Sequence, residues 1–200
     1  MFRESIEAFD GWHERPADVV EIPVCQTGDY STRINSFYKF EGECDLSFPL
    51  KKEWVEEAKD WLLENVREEP KVLLHIPMHT PDATDPRYCD PNIFCDIYNT
   101  FDAGFFDIQR AVEQKPYVKL DMPILNSSSD KAYILWGLAY LADMIITTDN
   151  HMLPLALALK KKTLYLPGNV PIDYLFDKRI DRSMVTIAAD DPCGDFERML

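Results

Sequence analysis

The sequence predicts an α/β protein: a doubly wound, mostly parallel, Rossmann-like sheet with helices on its two faces. Three observations carry this expectation. From residue 72 onward, short apolar runs alternate with segments of helical period, as βαβ units require. The stretch Ala139–Gly168 reads as a buried strand, a polar elbow, a short helix and a second buried strand. Within it, Met144–Thr147 is the apolar, β-branched run expected of a parallel strand covered on both faces.

The elements follow in order. Residues 1–45 are irregular in pattern, with a short strand at Val19–Val24, where Pro23 marks an edge or strand end, and a short helix at Ser31–Phe40. Residues 50–66 form an amphipathic helix. Leu50, Trp54, Val55, Ala58, Trp61, Leu62 and Val66 share one face, and Glu53, Glu56, Glu57, Lys59 and Asp60 fill the other. Glu69-Pro70 ends it, and Val72–Ile76 is a buried strand. Pro77–Asn92 is a long loop rich in Pro, Asp and Thr, and a loop of that length implies function or mobility.

Phe94–Tyr98 suits strand and helix equally, Phe105–Gln114 reads as a helix and Tyr117–Leu120 as a strand. Asp130–Ala142 is a helix with its N-cap signal in Ser127–Asp130. After Met144–Thr147, the residues Thr148, Asp149 and Asn150 supply turn and N-cap chemistry. Leu153–Leu159 is a short apolar helix, Thr163–Leu166 a strand, and Met184–Ile187 a last short strand. In such units ligands bind in the crevice at the carboxyl ends of the strands, where a helix N-terminus also favours phosphate.

Bulk properties narrow the function classes. The 200 residues are 46% hydrophobic and 28% charged, enough for a sizeable core and too apolar for disorder. A net charge of −14 argues against sequence-independent nucleic-acid binding and against anionic membranes. The five scattered cysteines form no CxxC, so reduced thiols in a cytoplasmic protein are expected rather than a disulfide frame or zinc site. The polar N-terminus carries no secretory signal, and the longest apolar run, Ala132–Ala142, is too short for a membrane span. No GxGxxG, Walker A or GxSxG motif occurs.

The 139–168 stretch carries a resemblance. Ala142-Asp143, the aliphatics Met144-Ile145-Ile146, Thr147-Thr148, then Asp149-Asn150-His151 and the Ala/Leu-rich helix run on to the strand Thr163–Leu166 and Pro167-Gly168. This order is similar to the fingerprint of glycosyltransferase family 9, the ADP-heptose:lipopolysaccharide heptosyltransferases of GT-B fold. The strand and loop at residues 70–80 resemble the opening of that family's C-terminal domain, and the likeness covers roughly residues 50–190. It implies a single GT-B-type domain over 50–200, with 1–49 an N-terminal extension or remnant of the first GT-B domain. The family's motif residues are replaced at four places: His151 stands for a glycine, Pro154 for the motif histidine, and Lys160 and Lys162 for a later Gly and Pro.

The resemblance implies a nucleotide-diphosphate sugar as ligand, with no cofactor and no metal, and a glycosyl transfer if the chain is catalytic. Asp149 would position the donor sugar, though Asp also caps any helix. His79, with Asp82 and Asp85 nearby, is the second catalytic candidate, as a general base or at a metal. His75, inside an apolar run, reads as a satisfied core residue. Thr148, Asn150, His151, Ser128 and Gly168 are the candidate phosphate and substrate contacts. Lys160–Lys162 offer charge for a diphosphate or form a solvated corner at a helix C-terminus. Two further readings compete: a non-catalytic GT-B-derived module that oligomerises or binds a protein supplying the acceptor domain, and a small nucleotide-processing enzyme built on His79.

Overall fold

The computed structural model describes residues 50–76, 88–109, 118–126, 133–148, 152–168, 182–188 and 190–200. In chain order the described elements are α1 (Lys52–Asn65), β1 (Lys71–Leu74), α2 (Pro91–Thr100), β2 (Gly104–Gln109), β3 (Ile124–Asn126) and α3 (Ile134–Leu141). They continue with β4 (Met144–Thr147), α4 (Met152–Ala158), β5 (Lys162–Tyr165), β6 (Val185–Ile187) and α5 (Pro192–Met199). The strands make one six-stranded sheet in the order β3-β2-β1-β4-β5-β6, and all five pairings are parallel. The doubly wound, Rossmann-like α/β expectation holds.

Alternation along the central strands divides the core in two. Leu73 and Ile145 join Ala58 and Leu62 of α1, Leu135 and Leu138 of α3, and Met152 and Ala156 of α4 on one face. Val72, Leu74, Met144 and Ile146 join Phe94 and Ile97 of α2 and Phe196 of α5 on the other. Burial on both faces explains why β1 and β4 read as continuous apolar runs.

Two sequence expectations are corrected, and one open reading is decided. The helix expected over Phe105–Gln114 is the strand β2, whose described residues end at Gln109. Two bulky apolar residues followed by Asp and Ile fit either period; placement between β1 and β3 decides for strand. Gly104 opens it because a Cβ there would press on the carbonyl oxygen of Glu68 and stand 2.7 Å from Val66 Cγ1. The strand expected at Tyr117–Leu120 is not one over its described residues 118–120. The third strand is Ile124–Asn126, entered where Pro123 accepts a hydrogen bond from Asp107 N at 3.0 Å. The ambiguous Phe94–Tyr98 lies inside α2, which starts on an Asp90 N-cap accepting from Asn92 N at 2.9 Å, with Pro91 in the first turn.

The expected strand at Val19–Val24 and helix at Ser31–Phe40 lie outside the described residues, as does all of 1–49. No described helix is long and apolar enough to cross a membrane. Among the described residues no disulfide joins the cysteines; burial first, and the Asp90 carboxylate second, push the Cys89 thiol up to about 12.

The lysine corner has a structural role. Lys160 N donates to Leu157 O and Lys161 N to Ala156 O, both at 3.0 Å, with Lys160 at φ 53. That is a Schellman ending of α4 with a lysine in the left-handed position usually taken by glycine. Lys161 Nζ donates to Tyr140 O (2.6 Å) in the last turn of α3, and Lys162 Nζ to Met199 O (2.8 Å) at the end of α5. Lys161 and Lys162 thus each satisfy a terminal carbonyl of another helix, at the amino edge of the sheet. Left-handed backbone costs a non-glycine residue roughly 1–2 kcal/mol. Lys160→Gly is therefore expected to raise stability by about 1 kcal/mol in urea unfolding; an unchanged or lower midpoint would contradict the strain.

Candidate functional site

The strand order places the site. From β1 the chain passes to α2 on one face of the sheet; from β4 it passes to α4 on the other. Yet β1 and β4 are neighbours, with Leu73 opposite Ile145 and Leu74 opposite Ile146. Connections that diverge from adjacent parallel strands leave a crevice at their carboxyl ends, the topological switch point of a doubly wound sheet.

The hydrogen-bond ladder runs past the strand ends and keeps this edge regular. His75 N donates to Ile146 O (2.9 Å), Leu166 N to Thr147 O (2.8 Å) and Ala188 N to Tyr165 O (2.8 Å). Thr147 and Thr148, at the end of β4, are buried, and the Thr147 hydroxyl donates to Thr148 O at 3.4 Å. At the opposite edge, Asp143 Oδ2 accepts from Lys71 N while Asp143 N donates to Lys71 O, both at 2.8 Å. That exchange pins the starts of β1 and β4 together, so Asp143 works in the scaffold.

Of the residues the sequence nominated, Thr148 and Gly168 are described, and both stand at the carboxyl edge, after β4 and β5 respectively. Asp149, Asn150 and His151, between β4 and α4 in the sequence, lie outside the described residues, as do His79, Asp82 and Asp85 after β1 and Ser128 after β3. Lys160–Lys162 are at the other edge and are not brought to the crevice. Among the described residues no cluster of three His, Cys, Asp or Glu side chains is placed to hold a metal.

Sequence reasoning missed one polar feature. Asp107 in β2 is fully buried and His75, one residue past β1, is 5% exposed. Asp107 Oδ1 stands 3.1 Å from His75 Nδ1 and accepts the backbone N–H of Ile108 at 2.7 Å. With β1 and β2 adjacent, the pair lies near the carboxyl end of the sheet, beside the switch point. His75 is the satisfied core residue the sequence suggested; its partner was the unseen part. The available signal was a carboxylate inside the apolar run Phe105–Ile108, since buried carboxylates are paired.

Comparison of the chain with protein-family models, with curated proteins and with solved structures finds no match.

Proposed function

We propose that this domain binds a nucleotide-diphosphate sugar at the carboxyl edge of its sheet, in the manner of the nucleotide-sugar-binding half of a GT-B glycosyltransferase. The observation that carries the reading is the switch point: β1 and β4 lie side by side while their connections leave to opposite faces. The resemblance of residues 139–168 to the heptosyltransferase fingerprint adds the ligand class. The diphosphate lies against the β4-to-α4 turn, and Asp149 hydrogen-bonds the donor sugar. If transfer occurs, stabilisation of the leaving nucleotide carries the rate, and the acceptor side comes from a partner. The substitution of a bulky His151 at the family's glycine favours a second reading, a module that keeps the fold and binds a protein instead.

Thermal unfolding with ADP-, GDP-, UDP- and CMP-sugars separates the two. A ligand at about 100 times its dissociation constant stabilises the folded state by about 2.7 kcal/mol, a shift of roughly 5–10 °C for a chain of this size. One nucleotide class is expected to produce the shift and Asp149→Ala to remove it. No shift with any of the four discards the nucleotide-sugar reading and leaves the protein-binding module.

A further inference from the structure

Lys160 is a strained residue whose side chain the folded chain leaves unused. It holds the left-handed position at the end of α4, φ 53, where glycine would remove the strain. Its side chain is exposed, and among the described residues it has no hydrogen-bond or ion-pair partner. Strain kept at a position without an internal role points to a role outside the molecule.

Lys160 belongs to a basic strip on a chain with 35 Asp and Glu against 21 Lys and Arg. The ammonium groups of Lys161 and Lys162 meet main-chain carbonyls, Tyr140 O and Met199 O, so no carboxylate pairs with them directly. Asp143 is the carboxylate whose field reaches Lys161, and its Oδ2 is held by Lys71 N. Apolar side chains border the strip. Lys161 Nζ stands 5.5 Å over the Tyr140 ring, and Met184 O accepts from Thr163 N at 2.8 Å, which sets Met184 beside Lys162. Tyr140 is 45% exposed and Met184 40%. The connections that build this part of the amino edge, residues 142–143, 159–161 and 182–184, are all described.

We propose that this strip is a docking surface for an acidic segment of another protein. Its Asp and Glu side chains meet Lys160, Lys161 and Lys162, and an apolar side chain between them covers Tyr140 and Met184. Charge complementarity selects the occupant: three adjacent cations stand out on a chain of net charge −14. They are too few to hold a nucleic-acid backbone or an anionic membrane, where each further cation adds affinity. Tyrosine and methionine suit the centre of a protein contact, with the lysines at its polar rim. The surface lies at the edge opposite the switch point, so it is independent of the nucleotide-sugar reading.

Fluorescence anisotropy tests it, using the full chain and a labelled peptide that repeats Glu-Asp-Leu, beside one of equal length that repeats Glu-Asp-Ser. The leucine peptide is expected to bind more tightly, with affinity falling as salt is added. Lys160→Gly should weaken it about threefold while the protein stays at least as stable, a combination that a purely structural lysine would not give. Tyr140→Ala should weaken it about tenfold. Lys59→Ala, which removes an exposed charge from α1, should leave it unchanged. Nitrogen-15 spectra with the leucine peptide should shift Lys160, Lys161, Lys162, Tyr140 and Met184 and leave Thr148 and Gly168 in place.

Equal losses in Lys160→Gly and Lys59→Ala, or shifts confined to other residues, would overturn the proposal. So would equal binding of the two peptides, or no binding of either. Retention on phosphatidylserine vesicles that Lys160→Gly abolishes would assign the strip to a membrane instead. Self-association of the wild type that Lys160→Gly abolishes would make the occupant a second copy, and either result discards the acidic partner.

Discussion

Replacing Gly137 by alanine is expected to lower the stability of the domain by about 1–2 kcal/mol, against the usual helical preference. Alanine favours a helix interior over glycine by about 1 kcal/mol, so at a merely adjacent position the substitution would stabilise. Here α1 crosses α3 with its backbone against Gly137. An added Cβ would press into the Trp54 carbonyl oxygen, with the Trp54 carbonyl carbon at 3.0 Å and Ala58 Cβ at 2.7 Å. A backbone carbonyl inside a helix cannot rotate away, so the helices must separate. Overpacking of this kind costs typically 1–3 kcal/mol, occasionally more. Separation also disturbs the aromatics at the crossing, where Trp54 lies 4.8 Å from Trp136 and stacks on Tyr133 at 6.2 Å between ring centroids. Urea unfolding read by tryptophan fluorescence measures both consequences. A midpoint equal to or above wild type would show that the crossing has room for a methyl group. Glu64→Ala, on the exposed side of α1, is the reference substitution and should be close to neutral.

What the sequence disclosed depended on whether a segment's pattern could be satisfied in only one way. The α1 face, with Trp54, Ala58, Trp61 and Leu62 at helical spacing, admits one period, and the structure places Ala58 and Leu62 in the core. The β4–α4–β5 unit was equally legible, because its strands are buried on both sides and its helix is too short and apolar to be anything else. Residues 104–109 failed for the opposite reason. A central strand covered on both faces loses the alternation that would mark it, and only its neighbours reveal it. The start of α2 was legible but overlooked: Asp90-Pro91 is the same cap-and-first-turn pair as Asp191-Pro192, and both aspartates accept a backbone N–H within their first turn. Of the site, the carboxyl edge and Thr148 followed from topology. The Asp107–His75 pair did not, because 32 residues separate its members and no local pattern links them.

That pair provides the second large effect, and a double-mutant cycle exposes it. His75→Leu leaves the Asp107 carboxylate, with no solvent exposure, short of its imidazole; Asp107→Leu leaves the imidazole and the Ile108 N–H short of their acceptor. Removing one member of a buried pair typically costs about 3–5 kcal/mol, because the other stays buried without compensation. Replacing both by leucine removes the desolvation penalty together with the attraction, and such exchanges are often close to neutral. The expected result is therefore strongly non-additive: each single variant loses roughly 3–5 kcal/mol, and the double variant is more stable than either. Additive losses would mean that the two residues act separately. A double-leucine protein as stable as wild type would show that the sheet itself does not need the polar pair.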